Sequence, residues 1–244
     1  MDPKKGWKRY IEAGLAVLLV LVLYAGRLAG VPVEEGKDHR QDVSQNKKTA
    51  QEKTAEEEQP ESEEVIAEGQ YPIMGNSAVT VQEMVDYFQD SGEAYPAEEL
   101  SEGGADSIET FCQMYYEEAA AEGVRPEVAF AQTMKETGFL QYGGDASIEQ
   151  FNFAGLGTTG GGVPGNSYPD VRTGIRAQIQ HLKAYATEDT LEQECVDDRY
   201  EYVKKGSAPY VEWLGQQENP DGVGWAVGEN YGYDIVDMIE QMKN

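Results

Sequence analysis

Histidine and cysteine are nearly missing from this chain: His39, His181, Cys112 and Cys195 are the only ones in 244 residues. No CxxC or HExxH spacing and no His/Cys cluster exists, so zinc chemistry is excluded and neither a metal nor a cofactor is expected. Positive charge is also scarce. There are 19 Lys and Arg against 45 Asp and Glu, a formal net charge of −26. Such a surface repels phosphate backbones, which argues against a nucleic-acid partner. A chain this acidic could be disordered throughout, but 15 Tyr, 6 Phe and 3 Trp can supply a core. The cysteines allow at most one disulfide. In an exported domain Cys112 and Cys195 could pair; otherwise they are two separate buried thiols.

The one long apolar run, AGLAVLLVLVLYAG, lies at residues 13–26, after Lys4, Lys5, Lys8 and Arg9. Counted from Tyr10 to Gly30, the segment reaches the roughly 20 residues needed to span a bilayer. Basic residues before it place residues 1–9 in the cytoplasm and the remainder outside. A cleaved signal peptide is the competing reading. Arg27 interrupts AGRLAG and spoils the small-residue cleavage site, which favours an uncleaved transmembrane anchor at 10–30. Both readings put the rest of the chain outside the cytoplasm, membrane-held or secreted. Residues 31–70 are rich in Glu, Gln, Lys and Thr and read as a flexible acidic linker. Most of the acidity lies further on, since residues 71–244 hold 9 basic and 31 acidic side chains.

The segment 71–244 reads as mainly helical. YPIMGNSAVT is an extended lead-in with a turn at Gly75-Asn76. Thr80 then caps VQEMVDYFQ, with Glu83 completing a capping box. Residues 93–105 read as loop. Ser107 caps IETFCQMYYEEAAAE, whose stripe of Ile108, Phe111, Cys112, Tyr115 and Ala119 faces a core, and Gly123 stops it. Pro126 suits a first helical position, and the following helix runs to Thr137, with Gly138 as terminator. Asp170 caps VRTGIRAQIQHLKAYA, which buries Val171, Ile175, Ile179 and Leu182 and leaves Arg172, Arg176 and Lys183 as a positive face. His181 on this helix reads as a packed or surface histidine rather than a catalytic one. Ile235, Met238 and Ile239 mark a last helix.

Glu136 stands out because it ends an otherwise apolar helix, AFAQTMKET, just before a glycine-rich segment that reads as short strands or loops around a groove. The negative end of a helix and apolar surroundings both raise a carboxyl pKa, as a general acid near neutral pH requires. Asp145 and Glu149 follow within loop reach and are candidates for a second carboxylate; their ordinary reading is solvated loop charge. Asp170 reads better as a cap. The late aromatics Trp225, Tyr231 and Tyr233 suit either core packing or sugar rings. A Cys112–His181 nucleophile pair is disfavoured, because Cys112 lies inside a packing stripe rather than at a helix start.

Five segments in order, YPIMG, AFAQTMKETGF, NFAGLG, PDVRTGIRAQIQHLKAY and GWAVGENYGYDI, resemble the bacterial glucosaminidase family of endo-β-N-acetylglucosaminidase-like wall hydrolases. The resemblance runs from Tyr71 to Asn244. It implies a lysozyme-like α+β catalytic domain with a substrate groove, acting on peptidoglycan glycan strands by cutting after N-acetylglucosamine, at the cell membrane or in the wall. It makes Glu136 the general acid, sets Asn152, Phe153, Gly155 and Leu156 along the groove, and matches Tyr231 and Tyr233 to the late aromatic element near the cut. Apart from the resemblance, Tyr142, Tyr168 and Trp225 are further candidate sugar contacts, with Tyr233. Muramidases and lytic transglycosylases share a helix-borne Glu. Where relatives carry a longer hairpin with a second acid, this chain has GTTGGGVPGNSYPD, whose only carboxylate is Asp170. The second group therefore stays open among Asp145, Glu149 and the substrate's own N-acetyl group, oriented by Tyr231 or Tyr233.

Overall fold

The computed structural model describes residues 66–143, 146–158 and 164–243. Its helices are α1 (Val81–Asp90), α2 (Ala97–Glu102), α3 (Ile108–Glu122), α4 (Pro126–Thr137), α5 (Val171–Ala186) and α6 (Tyr231–Met242). Short 3-10 turns lie at Ile148–Gln150, Tyr200–Tyr202 and Val211–Leu214. The expected caps are in place. Thr80 and Glu83 satisfy each other's backbone N–H groups, Ser107 accepts from Thr110 N, and Asp170 accepts from Thr173 N at 2.7 Å. Gly123 and Gly138 both end their helices in the left-handed region. Residues 93–105 differ from the loop reading, because Ala97–Glu102 closes one and a half turns around the buried Leu100.

Helix α4 is the centre of the core, with every residue from Pro126 to Met134 buried. Helix α3 packs against α1, α4 and α5, while α6 packs against α4, α1 and the Val211–Leu214 turn. The lead-in is threaded between distant segments. Ile73 N donates to Pro209 O at 3.0 Å, Arg125 N to Ile73 O at 2.9 Å, and Val211 N to Tyr71 O at 2.8 Å. Ile66 also packs on this core, so the folded part reaches five residues beyond the boundary expected at 70.

The mainly α reading holds, but the described residues show no β component. Among the described residues there is no strand, only isolated bridges at Pro72–Tyr210, Met74–Val124 and Gly215–Ala226. In the described parts of this region, 146–158 and 164–168, side-chain amides meet the backbone carbonyls. Gln150 Nε2 donates to Pro164 O and Asn166 O, both at 3.1 Å, and Asn152 Nδ2 donates to Leu156 O at 2.9 Å. Side-chain amides thus do the work of a neighbouring strand. The anchor expected at 10–30 and most of the linker lie outside the described residues. No helix among the described residues is long and apolar enough to cross a membrane.

The positive face expected on α5 is neutralised. Arg172 bonds Glu117 at 2.8 Å and Glu118 at 2.9 Å, Arg176 bonds Glu118 at 2.7 Å, and Lys183 bonds Glu122 at 2.9 Å. The acidic side of α3 lies opposite. Burial alone would raise the Glu118 carboxyl, but hydrogen bonds from Arg176, Arg172 and Gln193 outweigh it and hold the pKa below the usual range. Gly174 in the middle of α5 has a packing reason. A Cβ there would collide with the Phe151 carbonyl oxygen, so glycine lets α5 support the loop that begins at Phe151.

Candidate functional site

The chain reverses abruptly after Glu136. Gly138 takes φ 59°, and Phe139, Leu140 and Tyr142 follow at φ 54°, 65° and 57°. Left-handed non-glycine residues are uncommon, and each costs about 1–2 kcal/mol. Thr137 holds this coil together. Its hydroxyl donates to Thr133 O at 2.7 Å and accepts from Leu140 N at 2.9 Å, while its carbonyl accepts from Tyr142 N at 2.7 Å. The turn leaves Glu136 in the last turn of α4 and open to solvent.

Tyr231, the first residue of α6, donates its hydroxyl hydrogen to Glu136 Oε1. That hydroxyl also accepts from Gln132 Nε2 at 3.0 Å. The Lys135 ammonium lies 5.6 Å from the Tyr231 ring centroid and pairs with Asp234 at 2.7 Å. Burial is the largest influence on the Glu136 carboxyl and raises its pKa; the Tyr231 hydrogen bond and the Lys135 charge pull the other way without cancelling it. The side chain is exposed to solvent as a whole, yet protein packed close to its carboxyl is enough to disfavour the charged form. The expected upward direction is present, with desolvation as its leading cause. Burial and the adjacent carboxylate hold the Tyr231 hydroxyl pKa well above its ordinary value, so this group stays a donor.

The other anticipated site residues are spread over two environments. Asn152, Phe153 and Leu156 lie in the interior. Asn152 binds both ends of its own loop, with Leu156 N donating to its Oδ1 at 3.0 Å and its Nδ2 donating to Leu156 O and Asn166 O. Phe153 stacks edge-on to Phe111 at 5.2 Å. These residues shape the loop rather than line an open surface. Gly155 is half-buried at φ 62°, which the turn requires. Tyr142 and Tyr168 are half-buried; Tyr142 donates to Asn152 O at 3.3 Å, and burial pushes the Tyr168 hydroxyl up to about 12. Trp225 packs edge-on against His181 at 4.9 Å, and Tyr233 is 42% exposed. Glu149 is exposed on the Ile148–Gln150 turn, where Ser147 Oγ donates to it; Asp145 lies outside the described residues.

The thiol alternatives fall away. Cys112 and Cys195 are both free, but only Cys112 is the buried thiol expected, since Cys195 is exposed; burial raises the Cys112 thiol far above the range in which a thiolate forms. His181 is buried with Nδ1 2.6 Å from Asp197 Oδ2, so of the packed and surface readings the packed one applies. Sequence reading missed Gln132, Gln178 and Asp234. Two fully buried glutamines on apolar helix faces are a signal, but their pairing across 46 residues is not.

A family model described as Mannosyl-glycoprotein endo-beta-N-acetylglucosaminidase, the Glucosaminidase model, matches residues 112–244. An uncharacterized protein of Borreliella burgdorferi is 42% identical over 104 residues, covering 43% of this chain and 51% of that protein. The chain thus spans about half the length of this curated relative. No solved structure matches the chain. The matched stretch starts inside α3 at Cys112, later than the Tyr71 start suggested by resemblance, while Tyr71–Phe111 contribute to the same core. It contains Glu136, Tyr231 and every helix from α4 onward and covers more than half of the residues: the chain belongs to the glucosaminidase family.

Proposed function

We propose that this protein is a peptidoglycan hydrolase, an endo-β-N-acetylglucosaminidase that cuts the glycan strand after N-acetylglucosamine, with Glu136 as the general acid. The observation that supports this best is a solvent-accessible carboxyl, raised in pKa by its surroundings and held by Tyr231, in a chain of this family. The Glu136 carboxyl gives its proton to the glycosidic oxygen as the C–O bond breaks, and charge builds up on the sugar ring. Tyr231 already donates to Glu136, which leaves the exposed Tyr233 as the tyrosine available to the substrate's N-acetyl group. Asp145 and Glu149 are the carboxylates that would take the second role in a two-acid mechanism.

Mass spectrometry of muropeptides after digestion of purified peptidoglycan with the full chain tests the linkage. The expected product has an N-acetylglucosamine reducing end. An N-acetylmuramic acid reducing end would mean a muramidase, an anhydro-sugar would mean a lytic transglycosylase, and glycan binding without new ends would mean a binding module. The substrate and the basic-then-apolar N-terminus together support a position outside the cell membrane, held by residues 10–30 or released to the wall. Protease added to intact protoplasts should then remove the 71–244 segment if it is anchored, or the segment should appear in the medium. A protected, cell-retained segment would overturn this placement.

A further inference from the structure

A line of buried side chains runs from the centre of the core to Glu136. It starts at Gln178 on α5, whose Nε2 donates to Ala129 O and to Gln132 Oε1, both at 2.9 Å. Gln178 Oε1 accepts from Tyr115 Oη at 2.8 Å and Thr133 Oγ1 at 2.9 Å. Gln132 Nε2 then donates to Tyr231 Oη at 3.0 Å, and Tyr231 donates to Glu136 Oε1. Gln132, Gln178 and Thr133 have no exposed surface.

The direction of this chain is fixed. Ala129 O is a helix carbonyl and can only accept, so it orients the Gln178 amide with its NH2 inward. Gln178 Nε2 then makes Gln132 Oε1 the acceptor, which turns the Gln132 NH2 toward Tyr231. With an N–H pointing at its oxygen, the Tyr231 hydroxyl has one proton to place, and Glu136 Oε1 is where it goes. Flipping any amide would set two donors or two acceptors face to face in a buried site. Among the described residues no protein group bonds Glu136 Oε2.

We propose that Gln132 and Gln178 are positioning residues that act through Tyr231, keeping Glu136 Oε1 an acceptor and so assigning the transferable proton to the other oxygen, Oε2. The inference rests on Glu136 being the general acid. When Oε2 passes its proton to the glycosidic oxygen, the carboxylate formed keeps the Tyr231 bond, so the conjugate base is met by a donor already in place. The charged or titratable groups nearest this pair are Lys135 on α4, Asp234 and Tyr231 on α6, and Tyr185 on α5, which adds to the raised Tyr231 pKa.

The test is the pH dependence of glycan cleavage by the full chain carrying Gln132→Met, Tyr231→Phe or both. Without the relay Glu136 loses a bond that favours its ionised form, so its pKa rises further and the falling limb of kcat moves to higher pH. Gln132→Met should lower kcat about tenfold or more with KM within about twofold, and should add little to Tyr231→Phe, because both act on one bond. Unchanged kcat and pH limb in folded Gln132→Met, or full additivity with Tyr231→Phe, would overturn the proposal. Should Gln132→Met fail to fold, NMR of the unsubstituted protein decides. A slowly exchanging Tyr231 hydroxyl proton close to the Gln132 side-chain amide is expected, and its absence counts against the relay. Failure of this idea is separable from failure of the acid assignment. A dead Glu136→Gln beside an unperturbed Gln132→Met sinks only the relay, whereas an active Glu136→Gln sinks the assignment.

Discussion

Glu136→Gln should lower the release of new reducing ends from purified peptidoglycan by about 100-fold or more while the protein stays folded. The fold is expected to survive because the side chain is exposed, and a Gln carbonyl oxygen can still accept from the Tyr231 hydroxyl. What is lost is the proton. Because burial raises the folded-state pKa of Glu136, the protonated acid persists to higher pH than it would on a solvated carboxyl. On the proposed function, activity of the native protein should therefore hold as pH rises through the ordinary carboxylate range and fall only above it. Linkage gives stability the same sign. A carboxyl that binds its proton more tightly when folded contributes most at low pH and loses that contribution as pH rises through the folded pKa. At neutral pH Glu136→Gln should thus melt no lower than the native chain. Reducing-end assays across pH, paired with circular-dichroism melts, check both parts. A variant with near-native turnover would remove Glu136 from the chemistry, and a falling limb at the pH of a solvated carboxyl would remove the desolvation argument.

Which of these features could be read from residues alone depended on how local their causes are. Thr80, Ser107 and Asp170 were legible as caps because a cap bonds an N–H three residues away. The place of Glu136 at a helix end was legible for the same reason: an apolar helix, a carboxylate in its last turn and a glycine stop are contiguous. Asn152 was placed on the groove by resemblance, whereas its amide is consumed by its own loop, a competition between side chain and backbone that no spacing reveals. The α5 cations looked like a free positive face, since their partners Glu117, Glu118 and Glu122 lie 54 or more residues earlier. The Gln178–Gln132–Tyr231 line was invisible because it needs α4, α5 and α6 in register before any of its bonds can form.

Glu122→Ala should be among the most damaging single changes in the domain, costing about 3–5 kcal/mol, whereas Lys183→Met should cost much less. Both side chains are buried, at 0% and 3% exposure, so the pair is not weakened by solvent. The asymmetry follows from what each residue leaves behind. Glu122 accepts from Lys183 Nζ at 2.9 Å, from Glu192 N at 2.9 Å and from Gln193 N at 3.1 Å. Removing it strands a buried ammonium and two backbone N–H groups, and an unpaired buried charge is the costliest of these. Removing Lys183 as Met keeps the aliphatic stem packed and leaves Glu122 with its two backbone donors. The double variant should regain part of the loss seen in Glu122→Ala, because the stranded charge is gone. Thermal melts should show a drop of about 10 °C or more for Glu122→Ala, with smaller drops for the other two. The effect should reach the site as well. Glu122 fastens the 192–193 backbone, and from there the chain runs to Asp198, which accepts from Asn166 Nδ2 at 2.6 Å and braces the loop that Asn152 and Gln150 hold together. Equal losses for Glu122→Ala and Lys183→Met would show that the stranded ammonium is not what sets the cost.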